Sequence, residues 1–222
     1  MVDHPDFLRS PDNVCKQDSR GWIAIEDQHS RVEKLQLHSG VPEDVRVQFE
    51  TTKNIYLYAW FVYRFYPVAQ HHAYTCLEFA LRERFESELI ADGKKKRKFG
   101  PGLKALLSYA VKKGYLKNEH FEVWRNQTRV RAWQRSLYEQ MDEMERLGLE
   151  KMEFDETRIE IKDVDRDHEY LAILLKTIPW LRNHYAHGSK TLHNQVLITL
   201  QIVSEIINQI YPESSDSQKV SK

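Results

Sequence analysis

The stretch TLHNQVLITLQIVSEIINQIY, Thr191 to Tyr211, places Leu192, Val196, Leu200, Val203, Ile207 and Ile210 three or four residues apart. That interval is the period of an α-helix with one apolar face. Upstream, the same period runs from Asp167 through Tyr170, Leu171, Leu174, Leu175, Ile178 and Leu181. Earlier still, Ser39-Gly40-Val41-Pro42-Glu43-Asp44 reads as a helix start. A proline sits near the first turn, and two acids follow that suit the positive end of the helix dipole. The pattern continues through Val45, Phe49, Ile55, Tyr56, Trp60 and Tyr63 to Pro67, where the ring should kink or end the helix. From Val68 a further helix runs to about Ala91, with Tyr74, Leu77, Leu81, Phe85 and Leu89 on one stripe. These runs predict an all-α fold, a helical bundle of four to five core helices over residues 42–212.

Working outward, residues 1–41 form an N-terminal extension. Residues 1–20 are polar and read as a loose arm, and the short pieces 22–25 and 32–37 predict a small hairpin or irregular packing. Residues 92–165 read as a charged middle insertion or cover on the bundle. They hold a glycine-flanked basic loop, a helix from Leu103 to Lys113, and a helix-leaning stretch 119–147. The apolar stripe of that stretch is Phe121, Trp124, Trp133, Leu137, Met141 and Met144. Arg158-Ile159-Glu160-Ile161 is compatible with a brief strand, and 213–222 reads as a disordered tail.

Charge is balanced over the 222 residues, with 33 basic against 33 acidic, so the molecule as a whole has no pull toward a polyanion. Its distribution is uneven. Residues 92–135 carry thirteen Lys/Arg against three Asp/Glu, whereas 139–169 carry thirteen Asp/Glu against five Lys/Arg. Only the basic half favours nucleic acid. Two cysteines, Cys15 and Cys76, make no disulfide framework and suit a reducing compartment. The opening MVDHPDFLRS lacks the apolar core of a signal peptide. The longest apolar run, residues 55–65, contains Arg64 and is about half the ~20 residues of a membrane span. A cytoplasmic protein is expected.

Between the two C-terminal helical patterns lies Pro179-Trp180-Leu181-Arg182-Asn183-His184-Tyr185-Ala186-His187-Gly188. A guanidinium, a carboxamide and two imidazoles fall within six residues. Histidine exchanges a proton near neutrality, and arginine presents a planar, permanently charged fork that fits a phosphate. Together they are the minimum for RNA cleavage without a metal, the imidazole handling the proton and the guanidinium the phosphorane charge. In a regular helix Arg182 and His187 would lie about 140° apart. They converge if the turn is distorted between Pro179 and Gly188, or if two copies pool their groups across a two-fold axis. Asn183 and His187, four apart, share a face.

Arg182-Asn183-His184-Tyr185-Ala186-His187 resembles the R-x4-H motif of the HEPN superfamily, small all-helical proteins of which many are ribonucleases in toxin–antitoxin and antiviral defence systems. As in that family, the motif precedes the last long helix. The resemblance implies a HEPN-like bundle and a homodimer with a composite site. It also implies a metal-independent endoribonuclease that leaves a 2′,3′-cyclic phosphate and requires no cofactor. Arg182 and His187 would be the catalytic pair, with Asn183 assisting. His184 and Tyr185, with Lys94, Lys95, Lys96, Arg97 and Lys98 of the basic loop, are the candidate RNA-binding residues. Partners in the family include an antitoxin or a nucleotidyltransferase. Ser189 stands where some members carry a Tyr that such a transferase modifies.

Plainer explanations stand beside these. Arg182 and His187 also suit the negative end of a helix, with Gly188 as its cap. His184, His187 and His193 suggest a metal, but no carboxylate or thiolate nearby completes the set. His71-His72 and Cys76 read as packing or surface residues. The lysine run reads equally as a solvated loop. Arg125, Arg129, Arg131 and Arg135, with Trp124 and Trp133, offer RNA backbone contacts and base stacking. A non-catalytic module of the same fold, binding RNA, nucleotide or a partner protein, is the alternative.

Overall fold

The computed structural model describes residues 6–91, 102–188, 190–211 and 213. Among them there is no β-strand, and the all-α class stands. The helices are α1 (Ile25–Glu33), α2 (Glu43–Tyr58), α3 (Phe65–Ala91), α4 (Leu103–Lys112), α5 (Glu122–Arg146), α6 (Asp163–Arg166), α7 (Tyr170–Ala186) and α8 (Leu197–Ile210). No helix among the described residues is long and apolar enough to cross a membrane. The chain divides into two compact units, 1–116 with 174–222 and 117–173, the boundary falling inside α7.

In the first unit α3 is central, packed by α2, α4 and α8, with α1 against α2. Ala69, Ala73, Cys76 and Ala80 give α3 small buried positions that let its neighbours approach closely. Phe49 of α2, Leu77, Leu81 and Phe85 of α3, Leu106 of α4, and Leu200 and Ile207 of α8 are fully buried. Burying one such side chain stabilises the fold by about 1.5–3 kcal/mol.

Pro67 begins a helix rather than ending one. The helix expected to reach it stops at Tyr58, and Pro67 is the third residue of α3. In the first turn the amide it lacks would have had no partner in the helix, so the ring is tolerated there.

The expected hairpin within residues 22–37 is instead the helix α1. Its buried Gln28 donates to the Tyr56 carbonyl at 2.6 Å and accepts from the Tyr66 hydroxyl at 2.9 Å. One side chain therefore ties α1 to the end of α2 and the start of α3. Nor are residues 6–20 of the arm before it loose. The buried Asp18 carboxylate accepts from Arg20 at 2.8 Å, from Arg9 at 3.3 Å and from the Tyr63 amide at 3.1 Å. Its own amide donates to the Trp60 carbonyl, so residues 6–24 are fastened to the α2–α3 connection.

The segment read as one insertion, 92–165, divides. α4 belongs to the first unit, while 117–173 make the second. In the second unit, α5 buries Trp124, Thr128, Ala132, Ser136 and Gln140, each four residues after the last. Of the expected apolar stripe Phe121 and Trp124 are buried, whereas Trp133 and Met141 are exposed. The small and polar row is buried because the returning chain lies along it. Gln140 exchanges two hydrogen bonds with the Asp155 backbone, at 3.0 and 2.8 Å. Arg135 holds Asp165 at 2.9 Å and the Glu160 carbonyl at 2.6 Å. Trp124 donates to the His168 carbonyl at 3.1 Å and stacks on its ring. Residues 159–161 form no strand; a 3-10 turn, Glu156–Arg158, precedes them.

Candidate functional site at the end of α7

α7 runs unbroken past the expected interruption, with Pro179 inside it, and carries Arg182, Asn183, His184 and Tyr185 in its last turns. Leu174 and Ile178, one turn apart, are its buried anchors, and Trp180 lies on the exposed side. There the indole stacks on His184 one turn later, ring centroids 5.3 Å apart and nearly parallel. The final turn closes at Gly188, whose φ of +83° is a conformation that glycine adopts readily. The His187 amide donates to Asn183 O and the Gly188 amide to Tyr185 O, both at 3.1 Å.

Arg182 faces α3. Its Nη2 is 2.9 Å from Oε2 of Glu78, a side chain only 11% exposed. The other Glu78 oxygen, Oε1, is 2.8 Å from Arg82 Nη2 on the next turn of α3. Arg182 Nη1 donates to Asn183 Oδ1 at 3.3 Å. The fork is thus oriented by a carboxylate and a carboxamide, and about a third of its side chain remains exposed.

Around this pair runs a polar row on α3. Gln70 donates to Thr199 of α8 at 3.0 Å. Burial raises the Tyr74 pKa, against hydrogen bonds with Thr199 and Gln70 that lower it. Burial lowers the His71 pKa from its usual value, and the charge of Arg182 pushes it the same way. An imidazole kept neutral therefore lies within the field of the guanidinium. His72 points elsewhere, its Nδ1 2.8 Å from the Thr52 hydroxyl.

His187 is exposed at the helix end, and among the described residues its ring has no hydrogen-bond partner. With α7 regular to Ala186, it leaves the axis about 140° from Arg182. The turn is not distorted, and one copy of α7 does not bring the two groups onto a common face. Tyr185 turns inward instead, its hydroxyl 2.9 Å from Nε2 of His193, which fastens the 187–196 connection to α7. Burial raises the Tyr185 pKa. No group of three or more His, Cys, Asp or Glu among the described residues is placed to hold a metal ion.

No family model, curated protein or solved structure matches this chain.

Of the residues singled out by sequence, Arg182, Asn183, His184, Tyr185 and His187 occupy one helix end. Lys94, Lys95, Lys96, Arg97, Lys98 and Ser189 lie outside the described residues. The arginines of α5 are largely engaged within their own unit. Arg125 donates to Glu119 O, Arg131 to Asp167 O and Arg135 to Asp165, while Trp124 is buried. Base stacking on Trp124 is closed off by His168. Sequence reasoning took His71 as a packing or surface residue and did not single out Glu78. The available signal was the row Gln70, Tyr74, Glu78 and Arg82, four residues apart on a face adjoining the apolar stripe of α3.

Proposed function

We infer that this protein is a metal-independent endoribonuclease of the HEPN type. The observation that carries the inference is an oriented, partly exposed guanidinium at Arg182, five residues before the exposed imidazole of His187 at the same helix end. Arg182 grips a non-bridging phosphate oxygen as a fork and stabilises the charge that builds on phosphorus. An imidazole takes the proton of the ribose 2′-OH, the 2′-oxygen bonds to phosphorus, and the P–O5′ bond breaks. The departing 5′-oxygen takes a proton, leaving a 2′,3′-cyclic phosphate and a 5′-hydroxyl. Asn183 keeps the fork in place. Because Arg182 and His187 diverge around the axis, the site draws them from two copies of the chain, a homodimer with a composite centre. Trp180 and His184, stacked on the surface of the same helix, offer a flat face to a nucleobase. A role in defence or as a toxin follows from the resemblance of the motif, and so does an antitoxin partner.

The test is cleavage of single-stranded RNA by the purified full chain in EDTA, with end-group analysis of the products. Cyclic-phosphate ends that disappear in both Arg182→Ala and His187→Ala are expected. Equal cleavage by wild type and both variants removes the catalytic assignment.

One observation favours a second reading, a binding module that does not cut. Glu78 already balances the Arg182 charge, which weakens its hold on a transition state. Salt-sensitive RNA binding without products, unchanged by His187→Ala, would decide for it.

A further inference from the structure

At the candidate site α3 and α7 run past each other in opposite directions. Arg182 of α7 bonds Glu78 of α3 at 2.9 Å. Tyr185, three residues later on α7, lies within electrostatic reach of Tyr74, four residues earlier on α3. Continued at ~1.5 Å per residue, that register brings the last turn of α7 level with Gln70 and His71. His71 and Glu78, seven residues apart, share one side of α3, with about 10 Å between them along the axis. The charge of Arg182 is felt at the His71 ring.

The other imidazoles of this corner are committed or turned away. His72 bonds the Thr52 hydroxyl at 2.8 Å. His193 meets the Tyr185 hydroxyl through Nε2 at 2.9 Å, and its Nδ1 is buried. His184 is stacked on Trp180. His187 is exposed but leaves α7 about 140° from Arg182. His71 is half-buried, and among the described residues no hydrogen bond engages its ring. Burial and the facing guanidinium keep it neutral at pH 7. A neutral imidazole offers a lone pair to an incoming proton.

We propose that His71 is the general base of the RNA cleavage inferred above, and that His187 of a second copy is the acid. The assignment rests on the nuclease reading and divides the labour within it. A ring nitrogen of His71 takes the proton of the ribose 2′-OH while the 2′-oxygen bonds to phosphorus beside the Arg182 fork. The P–O5′ bond breaks, and the 5′-oxygen takes its proton from His187. Fork and base come from one copy and the acid from the other. His71 then releases its proton to water and His187 regains one, so no co-reactant is consumed.

The test compares an RNA oligonucleotide with one carrying sulfur for the 5′-oxygen at the linkage that the wild type cuts. A thiolate departs without a proton, so the sulfur linkage needs a base and no acid. His71→Gln should cut both linkages at least about a hundredfold more slowly than wild type. His187→Ala should fail on the oxygen linkage and recover most of the wild-type rate on the sulfur one. Added imidazole should restore part of the rate of His71→Ala, which a merely structural loss would not permit. A His71→Gln that cuts the oxygen linkage at the wild-type rate, or that sulfur rescues, overturns the proposal. If the His71 variants do not fold, His187→Ala decides, since a sulfur linkage it cannot cut denies it the role of acid. Loss of cleavage in Arg182→Ala and His187→Ala but not in His71→Gln removes the base assignment alone. No cleavage by the wild type removes the nuclease reading and this assignment with it.

Discussion

Glu78 of α3 and Arg182 of α7 are joined oxygen to nitrogen at 2.9 Å, with the other Glu78 oxygen on Arg82 at 2.8 Å. One nearly buried carboxylate therefore sets the direction of the guanidinium and bridges two helices distant in sequence. Glu78→Gln keeps the shape and removes the negative charge that both Arg182 and Arg82 face. A loss of about 2 kcal/mol in folding stability is expected, the scale of hydrogen bonds to charged groups. In a chain of this length that lowers Tm by roughly 5 °C. Arg182→Ala leaves Glu78 paired with Arg82 and should cost less. Urea unfolding of both variants measures the order, and a larger loss in Arg182→Ala would contradict it.

If Arg182 and His187 cleave RNA as proposed, His71, in the field of Arg182, is the candidate base and His187 the acid that protonates the 5′-oxygen, so His71 should matter to cleavage where His72 does not. Burial and the Arg182 charge both lower the His71 pKa from 6.5, so its imidazole is neutral at pH 7 and able to accept a proton. Removing a positioned base typically lowers a rate by about 10²–10⁴-fold. His71→Gln is expected to lose at least the lower figure, and His72→Gln, whose ring serves Thr52, much less. With the His71 pKa below 6.5, cleavage should hold through neutral pH and decline only in more acidic buffer. A pH–rate profile that falls already above 7 on its acid side would exclude His71 as the base.

The helices were legible because their signal is periodic and local. Leu200, Val203 and Ile207 repeat at the helical interval and are buried in α8. Boundaries were less legible, since a proline late in an apolar run reads the same whether it ends one helix or starts the next. Pro67 does the second. On α5 the failure was one of face. Phe121 and Trp124 of the expected stripe are buried, but farther along Trp133 and Met141 are exposed while Thr128, Ala132, Ser136 and Gln140, matched to returning backbone, are buried. At the candidate site, Arg182 to His187 are contiguous in sequence, so their concentration of polar groups is visible there. Glu78 is a hundred residues away and pairs with Arg182 only through the packing of α3, which no local spacing reveals.

The two thiols should differ in reactivity. Cys15 is exposed, whereas Cys76 is buried on α3, where loss of solvent pushes its pKa up to about 12. The thiolate is the reactive form, and Cys76 has almost none at pH 8. Titration with a chromogenic disulfide should modify one cysteine per chain in the native state and both in denaturant. Rapid native modification of two would show that the α2–α3 contact around Cys76 opens readily.

Asp18 makes the hold of the N-terminal arm sensitive to acid. Burial by itself would raise its pKa. The Arg20 guanidinium and the amides of Tyr63 and Arg20 outweigh that effect and bring it down from 3.8 to about 2. A carboxyl whose folded pKa lies below its unfolded one stabilises the fold above the unfolded value, and the contribution disappears as pH falls through the folded value. The shift corresponds to about 2 kcal/mol at neutral pH, at ~1.4 kcal/mol per unit. Asp18→Asn should therefore be less stable than wild type by about that amount at pH 7, and still so at pH 5. Between pH 4 and 2 the gap should narrow steadily as the wild-type carboxylate is protonated. Urea unfolding at pH 7, 5, 3 and 2 measures it. A gap that stays constant down to pH 2 would mean that the shape of the side chain, not its charge, fastens the arm to Tyr63 and Trp60.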